Sequence, residues 1–227
     1  MADPVVKRIV CLANSRKLSG RCIAGKELKT GRWVRPVSDR EHEEVSERER
    51  QYENGRDPRL LDIIDVPLLR AKPNRHQPEN WLLHPDYYWV HMRRAEVSDL
   101  DQLTDRPSVL WVNGSSTVDG QNDRVAVDHS GLGTESLYLI GLDSLLVHVL
   151  APGAAFGSRR RKVKGEFEYR GVNYRLTITD PEIERTYLAK PDGRYVIGPC
   201  FVTVSLGEPY EGYCYKLIAA VVPRRDQ

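Results

Sequence analysis

The chain has 227 residues, 40% hydrophobic and 29% charged, a balance that fits folded globular protein and excludes a disordered chain. No run approaches the roughly 20 consecutive apolar residues needed to cross a bilayer, and the opening MADPVVKRIVCLANSRK lacks the apolar core of a secretory leader. A cytoplasmic protein without membrane contact is therefore expected.

Four cysteines, Cys11, Cys22, Cys200 and Cys214, form no CxxC and stand at no zinc-finger spacing from a histidine. They read as small buried hydrophobes, and neither a metal nor another cofactor is expected. The net charge of +2 conceals a segregation. Residues 7–40 carry ten Lys and Arg against Glu27 and Asp39, a balance of +8. Residues 41–135 carry eleven basic against nineteen acidic side chains, a balance of −8, and residues 136–227 return to +3. Blocks of one sign suggest a polyanion face backed by an acidic region, although blocks in sequence need not become patches in space.

In chain order, VVKRIVCL (5–12) reads as a strand rich in β-branched residues, Leu18-Ser19-Gly20 as a turn, RCIAG as a second strand and RWVRPV as a third. Close glycine punctuation makes these an antiparallel meander. Ser38 and Glu41 then have the spacing of a capping box, and DREHEEVSERERQY predicts a polar surface helix ending at Asn54-Gly55, with Val45 its only aliphatic residue. LLDIIDVPLLRA (60–71) resumes strand character, with Pro67 marking an edge or a bend. YYWVHMRRAEV adds a further strand.

From Ser108 the pattern begins again. VLWV, VAVDH and LYLIGLDSLLVHVLA are apolar runs suited to buried strands, and GEFEYRG with NYRLTITD forms a hairpin around Arg170-Gly171. Asp180-Pro181 starts a helix. YVIGPCFVTVSL and YCYKLIAAVV close the chain as two strands joined at Gly207-Glu208-Pro209. Strands, one helix and strands, twice over, give a mainly β fold with a few helices: two OB-like five-stranded barrels packed in tandem, over residues 1–107 and 108–227. A single larger sandwich or barrel is the other architecture compatible with the pattern.

The densest candidate site is Asn14, Ser15, Arg16, Lys17 and Arg21, a strand-ending loop whose amide, hydroxyl and cations suit a phosphate. Trp33 and Arg35 alternate onto one face and could stack a base and hold its phosphate, or Trp33 could simply be core. Arg159, Arg160, Arg161, Lys162 and Lys164 form a second basic loop, a further phosphate contact or a solvated run. No P-loop, GxGxxG, HExxH or GxSxG is present.

Read together, CLANSRKLSGRCIAGKEL, GRWVRPVS and YEGYCYKLIAAV resemble the dual OB-fold domain family of bacterial proteins. The resemblance implies two OB-like barrels and a nucleic-acid or nucleotide-binding role, often within bacterial conflict or defence systems. Carried over by residue, it points to Asn14, Ser15, Arg16, Lys17, Gly20, Arg21, Trp33, Arg35, Pro36, Ser38, Tyr215 and Lys216. A non-catalytic binding module is the first expectation. The alternatives are an enzyme acting on nucleotides or nucleic acid, with an acid such as Asp39 or Glu41, and a protein-interaction subunit.

Overall fold

A computed structural model describes residues 3–129, 132, 134–152 and 160–224. The chain divides into two compact units, Met1–Leu103 and Thr104–Gln227, each with its own hydrophobic cluster. That division excludes a single sandwich.

The first unit begins with the meander the sequence suggests. Strand β1 (Val5–Lys17) pairs antiparallel with β2 (Gly20–Glu27), and β2 pairs with β3 (Trp33–Val37). Strand β4 (Asp62–Ala71) returns to the opposite edge of β1, matching Val5 to Leu68 and Val10 to Ile63. Strand β5 (Asn80–Leu83) runs parallel to β3 and antiparallel to β4. The path β1-β2-β3-β5-β4 therefore closes on β1 as a five-stranded barrel, and closure removes the sheet edges. Strand β6 (Val90–Arg94) pairs with the first half of β4. Pro67 sits where β4 exchanges β6 for β5 as its neighbour, the place in a strand that tolerates a residue without an N–H.

Ile9, Cys11, Ile23, Val34, Val66 and Leu68 fill this barrel. Each large aliphatic among them contributes roughly 1.5–3 kcal/mol by leaving water. The long polar helix expected after β3 is corrected to one turn, α1 (Glu47–Arg50). Its capping box is Ser46 with Glu49, not Ser38 with Glu41. A helix with one aliphatic residue has little to bury, and the barrel takes that residue instead. Val45 is fully buried and exchanges both backbone hydrogen bonds with Arg21, while Glu43 turns the chain at φ +56°. The unit ends in a 3-10 turn (Val97–Asp99) and α2 (Leu100–Leu103).

The second unit follows a similar path with additions. Strands β7 (Arg124–Ala126), β8 (Leu137–Leu142) and β9 (Leu145–Leu150) precede the hairpin β10 (Lys162–Tyr169) and β11 (Val172–Ile178). Helix α3 (Pro181–Leu188) starts at the expected Asp180 cap with proline in its first turn. Then come β12 (Gly193–Ile197), β13 (Cys200–Tyr210) and β14 (Tyr213–Pro223). The sheet runs β12-β9-β10-β11-β14-β13-β8, with β7 on β14, and β11 to β14 is the parallel step.

Among the described residues, eight strands thus stand where five were expected. Strands β8 and β9 are one run broken at Asp143-Ser144, its first part on β13 and its second on β10, so the path from β9 to β8 begins and ends on the same stretch of chain, with β12 added outside β9. The turn between the last two strands is Glu211-Gly212 (φ +49° and +81°), while Gly207-Glu208-Pro209 is an irregularity inside β13. Leu110 and Trp111 are buried without forming the strand read from VLWV.

Candidate nucleic-acid interface

The β1–β2 hairpin gathers the densest group of candidate residues and gives them different tasks. Asn14 donates its amide to the Pro58 carbonyl at 2.8 Å, and Ser15 is buried with its hydroxyl 3.4 Å from the Cys22 carbonyl. Both hold the hairpin stem. Arg16 is exposed and stands directly opposite half-buried Arg21 in the cross-strand register; half-buried Lys17 stands opposite Gly20. A Cβ at Gly20 would fall 2.6 Å from the Val45 carbonyl oxygen, so a glycine is required where the 44–45 segment crosses the hairpin.

That segment brings in an acid the sequence reading missed. Glu44 is 5% exposed, its carboxylate 3.5 Å from the Arg40 guanidinium and 3.5 Å from the Ser19 hydroxyl. Nothing in its spacing distinguished it from the neighbouring glutamates of a supposed solvated helix.

The expected face of Trp33 and Arg35 is only partly available. Trp33 is half-buried, with the Lys26 ammonium 5.4 Å over its ring and the same ammonium donating to the Leu103 carbonyl at 2.7 Å. Arg35 is 2% exposed and ion-paired with Glu79 at 3.0 Å, so its guanidinium faces a buried carboxylate and is closed off from the surface. Pro36 is buried beside it. Ser38 is also buried and donates its hydroxyl to Glu49 at 2.5 Å, which orders the 38–49 segment.

The remaining candidates belong to the second unit. Lys216 is 1% exposed inside that unit, its ammonium 2.7 Å from the Val112 carbonyl, 2.9 Å from the Asn113 amide oxygen and 5.1 Å over the Tyr174 ring. Burial pushes its pKa down to about 7, against which Asp123 acts. Tyr215 is half-buried with its ring centroid 6.4 Å from that of Tyr210.

In the second basic run, Arg159 lies outside the described residues and Arg160 is exposed. Arg161 pairs with Asp192 at 2.7 Å and donates to the carbonyls of Leu188 and Lys190. Asp119 takes both Lys162 (3.4 Å) and the buried Lys164 (2.9 Å), and these cations hold its carboxyl below the usual range despite burial. This stretch is built around internal ion pairs, which the sequence could not show because Asp119 and Asp192 are distant along the chain.

The acids considered for catalysis are surface groups. Asp39 is exposed, 3.6 Å from Lys72, and Glu41 is exposed. Burial raises the Asp180 carboxyl, but that group caps α3 and accepts from the amides of Glu182, Ile183 and Val221. Among the described residues no cluster of three His, Cys, Asp or Glu is placed to hold a metal, and no helix is long and apolar enough to cross a membrane.

No curated protein and no solved structure matches the chain. A family model described as the dual OB-containing domain matches residues 7–221, nearly the whole sequence. A closed barrel in the order β1-β2-β3-β5-β4, then a second sheet with the same parallel step from third to last strand, is the architecture that description calls for. The chain belongs to the dual OB-containing domain family.

Proposed function

We propose that this protein is a non-catalytic module that binds nucleic acid or a nucleotide on its first barrel, with phosphate held at the β1–β2 hairpin. The observation that carries the reading is the register that sets Arg16 opposite Arg21 with Lys17 beside them. Three cations gathered on one hairpin concentrate positive charge where a phosphate can lie across both strands. The loop joining the first two strands is among the regions by which OB barrels hold oligonucleotides. Contacts to phosphate position the ligand without reading its sequence, so the binding is electrostatic and salt-sensitive. A bacterial conflict or defence system is the setting proposed with it, on the family resemblance.

Fluorescence anisotropy of labelled single-stranded DNA and RNA oligomers, titrated at two salt concentrations, tests the reading. Affinity is expected to fall steeply with salt. Arg16→Ala and Arg21→Ala are each expected to weaken binding and to lower the slope of log K against log salt by about 1. Full affinity in both variants overturns the proposal.

A further inference from the structure

On the same unit, between the 52–56 turn and the 86–91 segment, lies a groove with a cavity volume of about 650 Å³. Two neighbouring tyrosines line it, Tyr87 50% and Tyr88 58% exposed, whereas Trp89 and Tyr52, which line it too, are buried. Water-exposed aromatic rings forgo the burial that such side chains normally gain, so a pair of them beside a groove invites a flat ligand.

The groove is preformed. Tyr52 and Trp89 are joined by a parallel β-bridge, and the 52–56 turn is closed by the Tyr52 amide donating to the Arg56 carbonyl and the Gly55 amide to the Tyr52 carbonyl, each at 2.9 Å. The Tyr52 hydroxyl donates to Asp62 at 2.9 Å, and the His91 ring lies 5.5 Å from the Tyr52 ring, centroid to centroid. The Tyr87 ring is steadied edge-on by His84 at 4.6 Å. Side chains held in this way lose little freedom on binding.

The polar groups around the rings match the parts of a nucleotide. Arg56 is exposed on one wall and suits a phosphate. Asp86 lines the groove with its side chain 52% exposed; an ionised carboxylate only accepts hydrogen bonds, so it suits the amino edge of adenine, cytosine or guanine. Glu53 lines the same groove. The 45–59 segment links the groove to the hairpin: it is tied to Arg21 at Val45, to Asn14 at Pro58 and to Trp89 at Tyr52. Arg48, Arg56 and Arg59 are exposed along that segment.

We infer that this groove is a base-binding subsite for single-stranded nucleic acid, in which Tyr87 and Tyr88 stack an amino-bearing base, Arg56 meets its phosphate, and the strand continues toward the cations of the β1–β2 hairpin. The inference rests on the nucleic-acid reading of the first barrel. It differs from that reading in physical kind, because stacking is far less sensitive to salt than phosphate pairing.

The test is anisotropy of the full-length protein with labelled oligo(dA), oligo(dC) and oligo(dT) 12-mers at two salt concentrations. Tyr87→Ala/Tyr88→Ala is expected to lose about 10-fold or more in affinity with no change in salt slope, and Tyr87→Phe/Tyr88→Phe to retain it. Oligo(dA) and oligo(dC) are expected to bind tighter than oligo(dT), a preference that Asp86→Asn removes. Wild-type binding with full affinity in the alanine variant, or an equal loss in the phenylalanine variant, overturns the subsite and leaves the hairpin reading standing. Equal affinity for the three oligomers overturns the role of Asp86. Absence of wild-type binding to all three at low salt overturns the hairpin reading and this one together.

Discussion

The guanidinium of Arg35 and the carboxylate of Glu79 form an ion pair 3.0 Å long, with side chains only 3% and 7% exposed. It links β3 to the residue before β5, where the two strands run parallel, and the Arg35 amide also donates to the Glu79 carbonyl at 3.0 Å. Removing one member leaves the other charged and buried. Arg35→Ala should therefore cost about 3–5 kcal/mol of stability, read as a lower urea midpoint, and Glu79→Ala should act in the same direction. A midpoint unchanged in both variants would show that the pair does not hold the barrel closed.

Lys216 gives the second unit a pH dependence of defined sign. Its pKa is pushed down to about 7 by burial, whereas an unfolded lysine titrates near 10.4. Between those values the unfolded chain binds more protons than the folded one, so this residue makes stability rise with pH from about 7 to about 10. Lys216→Met should abolish that contribution. Urea titrations of both proteins at pH 7, 8.5 and 10 would reveal it as a stability of the wild type relative to the variant that increases with pH.

Thiol reactivity should single out one cysteine. Cys11 and Cys200 are fully buried, and burial raises their pKa values to about 12 and about 11; Cys214 is buried too and its thiol is also raised. Cys22 is partly exposed on β2. Since the thiolate is the reactive form, a disulfide reagent added to native protein should label Cys22 first. Cys22→Ser should remove the fast phase and leave only labelling that accompanies unfolding.

Gly25 is where β1 and β2 leave no room for a side chain. A Cβ there would lie 2.1 Å from the Val10 carbonyl oxygen, a backbone atom that cannot step aside. Gly25→Ala should destabilise by about 1–3 kcal/mol or more, by the logic of overpacking. Gly193→Ala, whose nearest neighbouring atom would be 3.7 Å away, should be tolerated. Thermal unfolding followed by circular dichroism distinguishes the two.

The parts of the fold legible in the sequence are those whose signals are local. β-branched runs marked β1 and β4, positive-φ residues Arg170 and Gly171 closed the predicted hairpin, and Asp180-Pro181 opened α3. The illegible parts depended on partners far along the chain. Val45 looked like the sparse apolar face of a helix until the barrel claimed it, and Gly207-Pro209 looked like a turn because both residues are turn formers. The basic character of Arg16, Lys17 and Arg21 was plain in composition. The pairing of Arg35 with Glu79, of Lys164 with Asp119 and of Lys216 with Val112 was not, since residue type gives a cation's charge but not what lies opposite it.

The position of β14 sets an order on how the protein is made. That strand pairs with β13, β11 and β7, so three pairings of the second unit wait for the last strand to be synthesised, and β8 must wait for β13. Every pairing of the first barrel, by contrast, is available once β6 has left the ribosome. Vectorial synthesis thus separates two folding events that share one chain, and it leaves the second half the more vulnerable of the two to a premature stop or a slow codon.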